Sequence, residues 1–210
     1  MIRSTHRLVL TLTILAFCYA ISAVSPTTIR SAYREIALEH LPTTAAYLNG
    51  KEDNVENRDQ ILTYHNPDRE LITVGYKGAP YLATLKLYTG GQRYYVAIEH
   101  SKCRSKKCDN KFVILQKKSD NYIDVTSELL TDVDMKLDKI RSTVKKEYKK
   151  SYGDNDAFES AGLDEDEALL KHLRWEIDIQ TGEILFKETA LPIMLGSYTW
   201  DESKSKFVKS

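Results

Sequence analysis

The segment YLATLKLYTGGQRYYVAIEH, residues 81–100, decides the fold. Apolar residues recur at every second position in both halves, at 81, 83, 85 and 87 before the turn and at 94, 96 and 98 after it. A period of two residues is typical of a β-strand with one buried face. Because only the short turn TGGQ separates the halves, they must run antiparallel. The segment therefore predicts a β-hairpin.

Similar segments lie on both sides of this hairpin. Upstream, QILTYH and ELITVGY flank the turn NPDR, whose proline suits the second position of a type I turn. Downstream, KFVILQKK and YIDVT flank the short turn SDN. Because the connections are short, consecutive strands are expected to be neighbours. Residues 60–130 are therefore predicted to form an antiparallel β-meander of five or six strands.

The remaining segments predict helices and further hairpins. Residues 131–173 form a charged helical segment, in which Asp132 or Asp134 is expected to cap a helix that ends at Gly153. Residues 174–210 form a C-terminal pair of hairpins, and residues 24–59 form an N-terminal helix followed by a polar loop. The predicted fold is α+β, with helices packed on the antiparallel sheet. Residues 24–59 and 60–210 are expected to be one folded unit.

The first 23 residues have the layout of a secretory signal peptide. Arg3 and Arg7 precede an apolar run over residues 8–21, and small residues follow at Ala20, Ser22 and Ala23. At 1.5 Å per residue the run covers about 21 Å, short of a hydrocarbon core of about 30 Å. We therefore expect a secreted or periplasmic protein with a cleaved signal peptide over residues 1–23 and no membrane span after cleavage.

Composition excludes one class of partner and indicates no cofactor. The whole chain has 30 basic and 30 acidic residues, and removing residues 1–23 takes away two arginines and leaves a net charge of −2. Such a chain has no overall electrostatic attraction to nucleic acid. No dinucleotide-binding, phosphate-binding or zinc-protease motif occurs in the sequence. We expect no cofactor and no metal.

Two cysteines follow the predicted signal peptide, in HSKCRSKKCDNK, residues 100–111. In an oxidising compartment Cys103 and Cys108 are expected to form a disulfide that stiffens a hairpin loop. A second hypothesis is that the disulfide holds the loop as a rigid cationic finger for a partner. A third uses His100, Cys103, Cys108 and Asp109 as zinc ligands, although this spacing matches no established zinc motif. Free thiols are the fourth alternative.

The residues predicted to contact a partner are cations of this loop and tyrosines of the neighbouring strand. Tyrosine adds contact area with little loss of conformational entropy, and several predicted strands carry it on both faces. The expected partner is a protein or a glycan of the cell envelope. The predicted partner-binding residues are Lys102, Arg104, Lys106, Lys107, Tyr94 and Tyr95.

The sequence contains no recognisable catalytic motif, so no catalytic residue is assigned. The leading hypothesis is a non-enzymatic exported binding protein, with an inhibitor or an immunity-type protein as a narrower version. The first alternative is a secreted hydrolase that uses His65, Glu99, His100 and Asp124. The second alternative is a structural component of the envelope.

Overall fold

The computed structural model describes residues 28–40, 61–76, 81–104, 107–119, 121–130, 136–153 and 156–210. The predicted signal peptide and the polar loop before residue 60 lie outside these residues. The described helices are α1 (Ile29–His40), α2 (Thr126–Leu129), α3 (Leu137–Tyr152), α4 (Asp156–Ser160) and α5 (Asp166–His172). None of the helices in the described ranges is both long and apolar enough to cross a membrane.

Ten strands form two antiparallel sheets. The first six are β1 (Ile61–Asn66), β2 (Leu71–Tyr76), β3 (Tyr81–Gly90), β4 (Arg93–Arg104), β5 (Lys107–Lys118) and β6 (Asn121–Asp124). They pair in chain order as a six-stranded meander, which confirms the prediction. The other four are β7 (Leu173–Ile177), β8 (Ile184–Glu188), β9 (Ile193–Asp201) and β10 (Lys206–Lys209). The two predicted C-terminal hairpins are joined through β8 and β9 into one sheet of order β10-β9-β8-β7.

The central hairpin has the turn that its sequence indicates. Gly90 pairs with Arg93, which leaves Gly91 and Gln92 as the two turn residues. Gly91 has a φ of 62°, a left-handed conformation that glycine adopts without steric cost. This turn fixes the register of β3 against β4, and a shift of one residue would exchange the two faces of the hairpin.

The six-stranded sheet is covered on both faces. On one face, α1 packs through Ile29, Ala32, Tyr33 and Ile36, which recur at helical spacing and are all buried. The α1 helix begins at Ile29, and it is capped by the Thr28 hydroxyl, which accepts a hydrogen bond from the Ser31 N–H at 3.3 Å. On the other face, the four-stranded sheet and helices α2 to α5 enclose a second and larger apolar core.

Two local predictions in the helical region need correction. The α3 helix begins at Leu137 with Lys136, rather than Asp132 or Asp134, at its N-cap position and no side-chain cap, and both aspartates lie outside the described residues. Its end is as predicted, because Gly153 has a φ of 86° and donates its N–H to the Lys149 carbonyl at 2.8 Å. The last strand of the meander was expected to reach Thr126 but ends at Asp124, because Thr126 begins α2.

Candidate functional site at the end of the β4–β5 hairpin

The strands β4 and β5 continue through the segment that was expected to be a loop. They pair without interruption from Tyr95–Gln116 to Arg104–Lys107, so only residues 105 and 106 connect them. We call residues 101–110 the basic hairpin. Strand β3 supports its first part, since Tyr81 pairs with Lys102. The loop prediction over residues 100–111 was therefore wrong, because pairing with neighbouring strands outweighs the low strand propensity of this polar sequence.

The register brings the two cysteines opposite each other. The Ile114 N–H donates to Thr126 Oγ1 at 2.8 Å and the Ile114 carbonyl accepts from the Val125 N–H at 2.9 Å, so both backbone groups point away from β4. Alternation along the strand then makes Cys103–Cys108 a non-hydrogen-bonded pair, in which Cα atoms lie about 4.5 Å apart. That separation lies within the disulfide range. The disulfide stays a prediction, because both side chains lie outside the described residues.

The zinc hypothesis also stays a prediction. Among the side chains that the structure describes, no group of three or more His, Cys, Asp or Glu residues is placed to hold a metal ion. The side chains of Cys103, Cys108 and Asp109 lie outside that part of the chain, so the hypothesis is neither supported nor excluded.

The register also separates the predicted cations from the cysteines. Positions 102 and 104 pair with positions 109 and 107, and strand alternation puts these four positions on the α1 face of the sheet. Positions 103 and 108 fall on the opposite face. Residues 100–111 contain five lysines and arginines and one aspartate, which gives this segment a formal charge of +4. Lys106 lies outside the described residues, as do the side chains of Lys102, Arg104 and Lys107.

Strand β7 crosses the base of the basic hairpin and is tied to it by polar contacts. With the Asn110 amide oriented so that both of its polar groups are satisfied, its nitrogen donates to Ser101 Oγ and its oxygen accepts from both terminal nitrogens of Arg174 at 3.1 Å. The Glu99 carboxylate accepts the Ile177 backbone N–H at 2.8 Å. We call Glu99, Ser101, Asn110 and Arg174 the base cluster. These contacts join both strands of the hairpin to the second sheet.

The electrostatics of the base cluster centre on Glu99. Burial raises the pKa of its carboxyl above the ordinary value, and the nearby Glu176 carboxylate also raises it. The hydrogen bond from Ile177 and the charges of Lys187 and Arg174 lower this pKa but do not cancel the effect of burial. The Glu99 side chain therefore points into the space between the two sheets, and its carboxylate accepts a hydrogen bond from a backbone N–H at the edge of β7. Inward-pointing charged residues are a known means of protecting the edge of a sheet.

No family model, no curated protein and no solved structure matches this chain. The proposals below therefore rest on the site itself.

The two predicted binding tyrosines lie in different environments. Tyr95 is only 3% exposed, and its ring centroid lies 5.0 Å from that of Trp200 in the core between the sheets. This corrects the expectation for Tyr95, which is not available to a partner on the surface. Tyr94 is half-buried against the core beneath α1. Tyr95 is buried because the second sheet covers this face of β4. The alternation of residues along β4 does not reveal where the second sheet lies.

The four residues of the hydrolase hypothesis do not converge. His65 lies on β1 and Asp124 on β6, at opposite edges of the six-stranded sheet and about 24 Å apart at 4.7–4.9 Å per strand. Glu99 and His100 are adjacent in β4 and so lie on opposite faces. The Asp124 carboxylate accepts hydrogen bonds from the backbone and hydroxyl of Thr126. These positions provide no shared site for acid–base chemistry.

Three of the four residues of the base cluster carry no signal in the sequence that marks them as part of a site. Ser101 and Asn110 fall in the predicted loop, and Arg174 begins the predicted C-terminal hairpins, 64 positions beyond Asn110. The only local signal was the polar character of Ser101 and Asn110 in the middle of what is now a strand pair. Glu99 was noted only as a residue of the hydrolase hypothesis.

Proposed function

We propose that this chain is an exported, non-enzymatic binding protein that uses the basic hairpin to recognise an acidic macromolecule, either a protein or an anionic glycan of the cell envelope. The observation that carries the proposal is the attachment of the hairpin base to β7 through Asn110–Arg174 and Glu99–Ile177. An inhibitory or immunity-type role is a narrower version of the same function.

Attachment of the base matters because it reduces the cost of binding. A flexible loop loses conformational entropy when a partner orders it, whereas a strand pair held at its base loses less. Hydrogen bonds that involve a charged group contribute about 1.5–3 kcal/mol each, so the contacts of Arg174 and Glu99 are strong enough to fix the base. A disulfide between Cys103 and Cys108 would hold the far end in the same way.

The charge of the hairpin defines the class of partner. A formal charge of +4 within residues 100–111 attracts acidic surfaces, although the exported chain as a whole is slightly acidic. Exposed Lys111 extends the same charged face. Such a local patch mainly accelerates association and provides specificity, and its contribution decreases as salt is added.

Export is part of the proposal and is supported by the sequence of residues 1–23. It provides the oxidising compartment that the cysteine pair needs and brings the protein to envelope partners. N-terminal sequencing of the protein purified from its native host tests this part, and an intact Met1 on the functional protein would contradict it.

The experiment is affinity capture from the envelope and secreted fractions of the native host with three baits. The first is the unchanged protein, the second carries R104E and K107E, and the third carries K118E and K146E. Arg104 and Lys107 face each other across the hairpin, so the double reversal keeps a like-charged pair and leaves strand pairing unchanged. Lys118 and Lys146 are exposed elsewhere on the surface, so the third bait makes the same change in net charge.

We expect the same acidic partner with the first and third baits and at least tenfold less with the second, which follows if each reversed cation costs roughly 1 kcal/mol of binding. The melting temperatures of all three baits should agree. Equal recovery with the second and third baits would overturn the proposal. Failure of all three to retain any partner would favour a purely structural role.

A further inference from the structure

Strand β5 has one edge that is only partly paired. Its inner edge pairs with β4 from Lys107 to Gln116. On its outer edge, β6 pairs with residues 115–118, and Val125 and Thr126 bond to Ile114. Within the described ranges of the chain, no strand pairs with the outer edge between residues 107 and 113. We call the backbone at residues 108–112 on this side the open edge.

The direction of the backbone groups on the open edge follows from Ile114. Because the Ile114 N–H and carbonyl both point outward, those of Phe112, Asn110 and Cys108 point outward too. The backbone groups of Lys111 and Asp109 point inward, toward β4. A row of outward groups at every second residue is the template that another extended strand can join.

We propose that a second copy of this chain joins the open edge, so that two β5 strands pair antiparallel with Asn110 facing Asn110 of the second copy. In this register residue 108 of one copy faces residue 112 of the other. All three facing pairs then join positions whose backbone groups point outward, so each pair exchanges two hydrogen bonds. The two six-stranded sheets become one continuous sheet related by a two-fold axis through Asn110.

The alternative registers fail for identifiable reasons. A register centred on Asp109 or Lys111 forms only two hydrogen-bonded pairs instead of three, and it places two aspartates or two lysines directly opposite each other at the centre, which is destabilising. A register centred on Phe112 brings Asn110 against Ile114, whose outward groups already bond to Val125 and Thr126. A register centred on Cys108 would require the two connecting residues, 105 and 106, to continue the strand. Only the centre at Asn110 uses the whole open edge.

The charges on the open edge are complementary to themselves. In the proposed register Asp109 of each copy faces Lys111 of the other at a non-hydrogen-bonded position, where side chains approach most closely. The two-fold axis produces this pair twice. The open edge carries one acidic and one basic residue, placed symmetrically on either side of Asn110, so it is complementary to an antiparallel copy of itself. This favours a second copy over an unrelated acidic peptide.

The ends of the two hairpins also fit the arrangement. Each basic hairpin would end beside the segment that leads from β6 into α2 of the other copy, where Asp124 and Glu128 are both exposed. The two hairpin ends would lie about 30 Å apart, at roughly 3.4 Å per residue. Because the Debye length is about 8 Å at physiological salt, their mutual repulsion would be largely screened.

Sedimentation velocity of the purified protein, from about 1 to about 200 µM, tests the proposal through its concentration dependence. We expect a reversible dimer. N110P removes the outward N–H at the two-fold axis and leaves bonds to β4 intact, so it should weaken dimerisation at least tenfold by removing two hydrogen bonds. N110A is the matched control, because it removes the same side chain and the same contact with Arg174 but keeps the N–H, so it should dimerise at least tenfold more tightly than N110P.

A charge exchange provides a second test that does not depend on proline. D109K and K111D each place like charges opposite each other, so each variant alone should dimerise roughly tenfold more weakly. Mixed together they restore opposite charges at both contacts, and the mixture should form a heterodimer about as strong as the original dimer. A monomer at every concentration, or a dimer unaffected by N110P and by both charge variants, would overturn the proposal.

Discussion

The two ends of the β4–β5 strand pair have the same alternation but different surroundings. At the end near the β3–β4 turn, Tyr95, Ala97 and Ile114 are buried beneath the second sheet. At the other end, Ser101 and Asn110 occupy equivalent positions on the same face and are only partly buried. The first end is held by an apolar core, the second by a few directed polar contacts. One strand pair can thus form part of the core at one end and an exposed binding surface at the other, depending on what packs against each end.

The two tryptophans mark this difference. Trp200 lies at the covered end, with its ring centroid 5.4 Å from that of Tyr88 and 5.0 Å from that of Tyr95, and its indole N–H donates to the Thr89 carbonyl at 2.6 Å. Trp175 lies beside the base cluster, 4.6 Å from Phe186 and 6.0 Å from Phe112 by ring centroids. On the side of Trp175 that faces the basic hairpin, the apolar core between the two sheets gives way to the polar side chains of the base cluster.

The largest expected effect is at the covered end. Trp200→Ala removes three ring contacts and leaves the Thr89 carbonyl without its donor, so it should lower the free energy of unfolding by about 3–5 kcal/mol. Urea unfolding followed by circular dichroism measures this. Trp200→Phe is the control, since it keeps most ring contacts and should cost only about 1 kcal/mol. A cost below about 1 kcal/mol for the alanine variant would show that aromatic packing does not hold this end.

A smaller effect is expected at the hairpin end. If Cys103 and Cys108 are bonded, replacing both by serine should lower the free energy of unfolding by about 2 kcal/mol, because the disulfide closes a short ring in the unfolded chain. Hydrogen exchange should increase between residues 101 and 110 and hardly change at the covered end. Reducing agent should abolish the difference between the two proteins. If both cysteines of the native protein react fully with a thiol-labelling reagent before reduction, the disulfide is contradicted and the zinc and free-thiol hypotheses remain.

The smallest effect concerns the base cluster and its pH dependence. Because burial raises the pKa of Glu99 in the folded state, the folded protein binds this proton more tightly than the unfolded chain does. The contribution of Glu99 to stability therefore decreases as pH rises from the ordinary carboxyl pKa through the raised one. Glu99→Gln keeps an acceptor for the Ile177 N–H without the charge, so the variant should gain stability relative to the unchanged protein as pH rises above the ordinary carboxyl pKa.

Glu183 is the control of opposite sign for this measurement. Hydrogen bonds from Ser197, Thr199 and Ser210 lower the pKa of its carboxyl. The stability it contributes is present above its unfolded pKa and is lost as pH falls through the lowered value. Glu183→Gln should therefore lose stability relative to the unchanged protein as pH rises toward the ordinary carboxyl pKa, and the difference should stay constant at higher pH. Parallel pH profiles for both glutamine variants would contradict the electrostatic difference between the two positions.

Much of the fold could be predicted because its signals are local. The six strands of the meander follow from alternation and from short turns, such as the one at Gly91. The α1 face follows from the spacing of Ile29, Tyr33 and Ile36. The candidate site could be predicted only in part. The cysteines and cations stand out in the sequence, whereas the contact between Asn110 and Arg174 joins residues far apart in the chain and has no local signal.

Sequence by itself determined which residues can share a face, because side-chain direction along a strand depends only on the backbone period. It determined that Tyr94 and Tyr95 lie on opposite faces, and that the chain carries a dense basic segment around two cysteines. Only the tertiary structure decided which face is buried and how far each strand extends. Those outcomes depend on what packs against the strand, and the free energy of that packing comes from residues that the local sequence does not contain.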